Sequence, residues 1–222
     1  MGADVKKING AIVGYDPGGN WRHGFALLRI FDGKPASIST KTLPNSEAVI
    51  AAIKKIPTEA ILGLGVDMLS CWCTGSGGWR PADIWLREKY PAVRKGIIAP
   101  NALFGAMVIN GMSVLIEAAN TYRGITLSET HPKVLYYALT QKKYNYAEQH
   151  AEMDSFLSKK LGNLKLGNPN VRNDHEWDAA ISAYALMMGI TGMWTCDLHK
   201  LQPEDCRIVK PCGKTSYYWP ND

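Results

Sequence analysis

The sequence predicts an α/β fold in which a mixed five-stranded sheet is flanked by helices, with an inserted helical region. Three observations predict this class. Apolar runs joined by a hairpin turn come first, helical and strand patterns then alternate, and acidic residues stand where several apolar segments end. The position of the acids matters because α/β sheets bind their ligands at the edge where the strands end.

The first three strands are expected to form an antiparallel meander. Ala11 to Tyr15 is a continuous apolar run, which is typical of a strand buried on both faces. A glycine-rich turn leads into a second apolar run, His23 to Phe31. The turn from Asp32 to Pro35 then returns the chain through residues 37–40, as in a β-hairpin.

Helices and strands alternate after the meander. Ser46 is the expected N-cap of a helix that ends before Pro57. Gly63 and Gly65 in the fourth strand mark places where another element packs close to the backbone. The other predicted elements are the fourth strand Ile61–Val66, a loop Cys71–Arg80, helices Pro81–Lys89, Asn101–Ala119, Lys133–Leu139 and Ala147–Leu161, a fifth strand Gly124–Ser128, and a last helix capped by Asp174.

Composition narrows the class of protein. The 222 residues, 46% of them hydrophobic, can bury a full core, and we expect a single domain over residues 1–222. The sequence shows neither a membrane span nor a signal peptide, and an odd number of cysteines, five, suits the cytoplasm. The formal charge of +5 permits attraction to a nucleic acid without identifying one. A homodimer is left open.

Four acidic residues are the main functional candidates. Asp16, Asp67 and Glu129 follow apolar runs, and Asp178 opens the apolar part of the last helix. Acids that converge on one edge of a sheet repel one another unless a divalent cation lies among them. Carboxylate oxygens are the ligands that Mg²⁺ and Mn²⁺ prefer. The leading hypothesis is therefore a metal-dependent enzyme.

The order of these acids also matches a known pattern. Its pieces are GYDPG, GVDMLSCW, ETHPKVLY, DHEWDAAISAYAL and GKTSYYWP. Together they resemble the ribonuclease H-like fold, and more closely domain-of-unknown-function family 429, described as predicted nucleases of that superfamily. The resemblance spans roughly residues 11–220, whereas WRPADIWLREKYP and CWCTGSGG depart from the family pattern. Similarity to Holliday-junction resolvases of the RuvC type is confined to the acids and the last helix.

The resemblance implies a catalytic set. Asp16 would be the central metal ligand, and Asp67 and Asp178 would each complete one side. Glu129 would be a further ligand or would orient a water. His175, three residues before Asp178 on the same helical face, would bind a second ion, move a proton or contact phosphate. The implied reaction is phosphodiester hydrolysis with Mg²⁺ or Mn²⁺ on DNA or RNA.

Other interpretations compete with this one. The same fold could bind nucleic acid or act as a scaffold without catalysis, or the acids could hold a nucleotide with Mg²⁺. The sequence Gly75–Gly78 lacks the Lys-Ser/Thr of a P-loop. Trp72, Trp79 and Trp85 could stack bases or pack in the core. A zinc site is a further candidate, with Cys196, His199, Cys206 and Cys212 as its ligands. These residues lack the paired Cys-x-x-Cys spacing of common structural zinc sites.

Overall fold

Nine strands are present in the residues described by the computed structural model, which are 6–74, 76–98, 105–164, 172–201 and 208–221. They are β1 (Gly10–Asp16), β2 (His23–Phe31), β3 (Lys34–Leu43), β4 (Ile61–Asp67), β5 (Trp72–Cys73), β6 (Thr126–Thr130), β7 (Cys196–Asp197), β8 (Ile208–Val209) and β9 (Tyr218–Trp219).

The main sheet has the order β3-β2-β1-β4-β6. β1 and β2 pair antiparallel, as do β2 and β3, whereas β4 pairs parallel with both β1 and β6. This mixed five-stranded arrangement confirms the predicted ribonuclease H-like fold class. The parallel strands β1, β4 and β6 bring their carboxyl ends to the same edge of the sheet.

Two apolar clusters form on the two faces of the sheet. Along β1, Ala11, Val13 and Tyr15 belong to the cluster that contains side chains of α1 and α3. Ile12 belongs to the other cluster, whose largest contribution comes from α6. This alternation has the period of two expected of a strand buried on both sides. The α-helices in the described residues are α1 (Ser46–Ile53), α2 (Pro81–Lys89), α3 (Ala106–Thr121), α4 (Pro132–Thr140), α5 (Tyr146–Lys160) and α6 (Asp174–Ile190).

Two predicted helix caps are wrong by one residue. Asn45, not Ser46, caps α1 and accepts the Ala48 N–H at 2.9 Å. Asn173, not Asp174, caps α6 and accepts the Glu176 N–H at 3.0 Å. In both places two cap-forming residues are adjacent, and propensity alone does not choose between neighbours. The predicted N-cap of α3, Asn101, lies outside the described residues.

Two short pairings lie outside the main sheet. The predicted loop Cys71–Arg80 contains β5, which pairs with β8. The segment GKTSYYWP contains β9, which pairs with β7 and not with the five-stranded sheet. Its link to the main sheet is a single isolated bridge between Ser216 and Ser128. Ser70, two residues before β5, and His199, two residues after β7, contact Glu129.

Glycines in the sheet allow α6 to pack directly against the strands. A Cβ on Gly14 would lie 1.8 Å from the carbonyl oxygen of Ala179. A Cβ on Gly65 would lie 2.5 Å from the carbonyl oxygen of Ser182. The close packing predicted from Gly65 is therefore confirmed. Because α6 packs this closely on β1, its N-terminal turns lie over the end of that strand. Asp178 is thereby placed beside the edge of the sheet.

We expect Gly14→Ala to destabilise the protein by about 3 kcal/mol, because the new methyl group must displace helix backbone. Gly19→Ala is the matched control, since a Cβ there meets no atom within 4 Å. Urea unfolding would measure both variants. Equal stability of the two variants would contradict the close contact between α6 and β1.

Candidate metal centre

Three aspartates from distant parts of the chain converge at one edge of the sheet. Asp16 ends β1, Asp67 ends the neighbouring strand β4, and Asp178 lies in the second turn of α6. One carboxylate oxygen of each lies within 4.8 Å of the others. Asp16 and Asp178 are buried, whereas Asp67 is partly exposed. Three acids at this spacing form a compact set of oxygen ligands.

The pKa values of all three aspartates are raised. Burial raises the pKa of Asp67 well above its usual range, and the charge of Asp16 raises it further. Burial and then the charge of Asp67 likewise raise the pKa of Asp178. Burial also raises the pKa of Asp16, and the hydrogen bond to His175 opposes that rise. A divalent cation among these oxygens would remove the repulsion.

His175 contacts Asp16 directly. Its Nδ1 lies 2.6 Å from Asp16 Oδ2, and the imidazole is partly exposed at the start of α6. The hydrogen bond to Asp16 raises the pKa of His175. The histidine therefore orients this carboxylate and keeps one ring edge near solvent, where it can exchange a proton.

The site has unused acceptor capacity. Asp178 Oδ1 is buried and has no hydrogen-bond partner among the described residues. A buried carboxylate oxygen without a donor is costly, unless a cation completes its coordination. The hard oxygens of the three aspartates therefore fit Mg²⁺ or Mn²⁺. Tyr144 lies near Asp178. Burial and then the charge of the Asp178 carboxylate raise the pKa of Tyr144, so its hydroxyl stays protonated.

Glu129, the fourth predicted ligand, lies in a different cluster. Its Oε1 and Oε2 accept hydrogen bonds from the Arg80 guanidinium, each at 2.7 Å. Oε2 also accepts from the backbone N–H and hydroxyl of Ser70, at 2.9 and 2.7 Å. Glu129 is within β6, one residue before its end, and the structure does not bring its oxygens into the aspartate group. We therefore leave it out of the proposed ligand set.

A buried charge network surrounds Glu129. Arg80 is fully buried and also donates to both oxygens of Asp83, at 2.7 and 2.8 Å. His199 Nε2 lies 3.2 Å from Glu129. Burial alone would raise the pKa of Glu129, but Arg80 and His199 outweigh it and hold that pKa below its usual range. The negative charges of Glu129 and Asp83 are therefore matched by the positive charges of Arg80 and His199, without a metal ion.

A second group of potential metal ligands lies within this network. Cys71, Glu129 and His199 offer ligand atoms within 4.8 Å of one another. The Arg80 guanidinium already neutralises Glu129 there, and its Nη1 also lies 3.5 Å from the Cys71 sulfur. A divalent cation would add positive charge beside this buried arginine. Of the zinc ligands considered from the sequence, Cys206 lies outside the described residues.

The network makes stability depend on pH through His199. Burial lowers its pKa, but Glu129 and then Cys71 raise it to a net value of about 10. Since the folded pKa lies above the usual 6.5, the stabilisation is complete below pH 6.5 and is lost as the pH rises toward 10. We expect wild-type protein to lose on the order of 3 kcal/mol more stability over this range than His199→Gln. Urea unfolding at several pH values measures the difference, and parallel curves would refute it.

A cleft of about 320 Å³ opens beside the aspartates. Asp67 forms part of its wall, together with Thr130 and Lys133 from the end of β6 and the start of α4. Lys133 is exposed, and its charge lowers the pKa of each of the three aspartates. The remaining wall is largely apolar; it includes Met68, Leu69, Ile97, Ile98, Met107 and Val108.

Sequence reasoning missed three residues of this region, which are Arg80, Tyr144 and Lys133. Lys133 follows Pro132 at the start of α4 and comes four residues after Glu129. Its position just after the end of a strand could have indicated that it lies near the site. Arg80 and Tyr144 carry no comparable signal, because Glu129 is 49 residues from Arg80 and Asp178 is 34 residues from Tyr144 in the sequence.

Comparisons with known proteins assign the chain to no family. No protein-family model matches the chain, and no curated protein matches it. Among solved structures, RuvC from Thermus thermophilus is similar with a TM-score of 0.40 and 14% identity. The match covers 82% of this chain and 96% of the RuvC chain. The resemblance to family 429 therefore stays a prediction.

Within the part of the chain that the structure describes, no helix is both long enough and apolar enough to span a membrane.

Proposed function

We propose that this protein is a divalent-metal-dependent nuclease. The observation that carries the proposal is the convergence of Asp16, Asp67 and Asp178 within 4.8 Å at the carboxyl edge of a ribonuclease H-like sheet. Burial raises the pKa of all three acids, and the charges of the neighbouring aspartates raise the pKa of Asp67 and Asp178 further, so the site favours a bound cation. The adjoining Lys133 and the net charge of +5 favour an anionic substrate.

The roles of the side chains follow from their positions. Asp16, Asp67 and Asp178 would hold Mg²⁺ or Mn²⁺, which supplies an activated water and stabilises charge on phosphate oxygens. Lys133 lies where it can contact a phosphate of the bound strand. His175 fixes the orientation of Asp16 and can accept or release a proton at its exposed ring edge.

The proposal is tested with a panel of single-stranded, duplex, hybrid and branched DNA and RNA. We expect Mn²⁺ or Mg²⁺ to support cleavage of at least one substrate, and Ca²⁺ to support binding without cleavage, because it coordinates more loosely and at longer distance. Salt-sensitive binding without cleavage of any substrate would instead favour the alternative function, a nucleic-acid-binding or scaffold protein of the same fold.

Metal binding should also be visible without any substrate. At a concentration 100 times its dissociation constant, Mn²⁺ should raise the melting temperature by about 5–10 °C, because it binds only the folded protein. Asp16→Asn should remove the shift and leave the apo protein at least as stable, since one repelling charge is gone. The matched control is Asp174→Asn, an exposed acid in the same helix. A full shift in Asp16→Asn would exclude Asp16 as a ligand.

A further inference from the structure

The cleft beside the aspartates has two chemically different parts. Its apolar lining includes Ile97, Ile98, Met107 and Val108. Its polar lining includes Asp67, which also belongs to the metal centre, Lys133 and His131, together with Asp83 and Glu129, which are paired with Arg80. With a cation bound at the aspartates, Lys133 and that cation would favour a ligand with an anionic end, and the apolar lining would favour a mainly apolar body.

One polar group in the cleft has no partner of its own. Thr130 lines the cleft and is 3% exposed. Its Oγ1 is buried and forms no hydrogen bond with any described residue. A buried hydroxyl without a partner costs free energy in the free protein. A ligand that offers a donor or an acceptor at this depth would recover that cost, which is how small-molecule sites use their few polar groups.

We propose that this cleft binds a single nucleotide of the substrate, with its base in the apolar part and its phosphate between Lys133 and the metal centre. The volume of about 320 Å³ is near the lower end of the roughly 300–1,000 Å³ of small-molecule sites, so it suits one nucleoside and not a stacked pair. Nucleobases combine apolar faces with polar edges, and Thr130 supplies one polar contact at the wall.

This inference rests on the proposed nuclease function and makes it more specific. A base can enter the cleft only when it has left its helical stack, and unstacking is least costly in a single strand, at an end or at a branch. The protein should therefore prefer substrates with an unpaired base at the cut position over an intact duplex. The hydroxyl of Thr130 can donate or accept a hydrogen bond, so this contact alone does not select one type of base.

The proposal is tested by comparing two probes in the presence of Ca²⁺, which avoids turnover. The probes are a nucleoside 5′-monophosphate and ribose 5-phosphate, which has the same phosphate and sugar but no base. By isothermal titration calorimetry the nucleotide should bind at least about tenfold more tightly, because only the base buries apolar surface in the cleft.

Two variants locate the effect. Ile98 lines the cleft and is 42% exposed, so Ile98→Trp should fill the apolar part without disturbing the core and should remove the tenfold preference. Ile109→Trp is the matched control; Ile109 is 70% exposed and does not line the cleft. Thr130→Val, which replaces the hydroxyl by a methyl of similar size, should weaken nucleotide binding and leave ribose 5-phosphate unaffected.

Equal affinity for the two probes, or an unchanged preference in Ile98→Trp, would overturn the proposal. Cleavage of the nucleic-acid panel together with equal affinities would reject the base site and leave the nuclease function standing. A preference that Ile98→Trp abolishes, in a protein that cleaves nothing, would support the base site and reject the nuclease function.

Discussion

Asp178→Asn should reduce the cleavage rate by at least about a thousandfold while leaving the protein folded. The neutral amide keeps the size of the side chain but removes one of the three charges that hold the cation. A thousandfold loss corresponds to about 4 kcal/mol, which is within the contribution of metal ions to catalysis. Single-turnover cleavage with saturating Mn²⁺ measures the chemical step, and substrate binding is measured separately.

Asp174→Asn is the control for this variant. Asp174 lies one turn earlier in α6 and is more than half exposed, so its loss should change the cleavage rate less than about threefold. Cleavage that survives Asp178→Asn at the wild-type rate would place the activity elsewhere in the chain or in a contaminant.

Arg80→Met should be the most destabilising substitution considered, at about 3–5 kcal/mol. Arg80 is fully buried and forms four hydrogen bonds of 2.7–2.8 Å with the carboxylates of Glu129 and Asp83. Methionine fills much of the volume but leaves two buried acids with His199 as the remaining cation. Urea unfolding measures the loss, which should be larger at pH 8 than at pH 5 because protonation removes an uncompensated charge.

Arg87→Met is the control on the same helix. Its guanidinium lies over the Trp79 ring at 4.7 Å and donates to the carbonyl oxygens of Arg94 and Ile97, each at 2.8 Å. It is only partly buried and pairs with no carboxylate in the described residues, so the expected loss is about 1–2 kcal/mol, smaller than for Arg80→Met. If Arg80→Met were as stable as Arg87→Met, Glu129 would not depend on Arg80, and a metal-binding role for Glu129 would have to be considered again.

The sheet could be predicted from the sequence because its signals are local. The bounds of β2 and α2 agree with the predicted His23–Phe31 and Pro81–Lys89, where a hairpin turn and an N-terminal proline mark the ends. The convergence of Asp16 and Asp67 followed from the rule that parallel strands end at one edge. Asp178 joins them because α6 packs closely on the sheet; the sequence indicated Asp178 through its place in the last helix and through the resemblance, and the glycines of β4 indicated the close packing.

The role of Glu129 could not be predicted in the same way. Its position after an apolar run is the same signal that Asp16 and Asp67 show. What separates it is the guanidinium of Arg80, which reaches it from a segment that sequence reasoning treated as a loop end. The cleft was missed for a similar reason, since its walls come from six separate segments: the ends of β4 and β6, α2, residues 96–98, α3 and Tyr217.

The central claim, that Asp16, Asp67 and Asp178 form a metal site, is tested most directly by anomalous X-ray scattering from crystals soaked in Mn²⁺. We expect a strong peak within coordination distance, about 2.0–2.3 Å, of oxygens from all three aspartates. Asp67→Asn crystals treated identically should show a weaker peak or none. A peak beside Cys71, Glu129 and His199 with none at the aspartates would contradict the account.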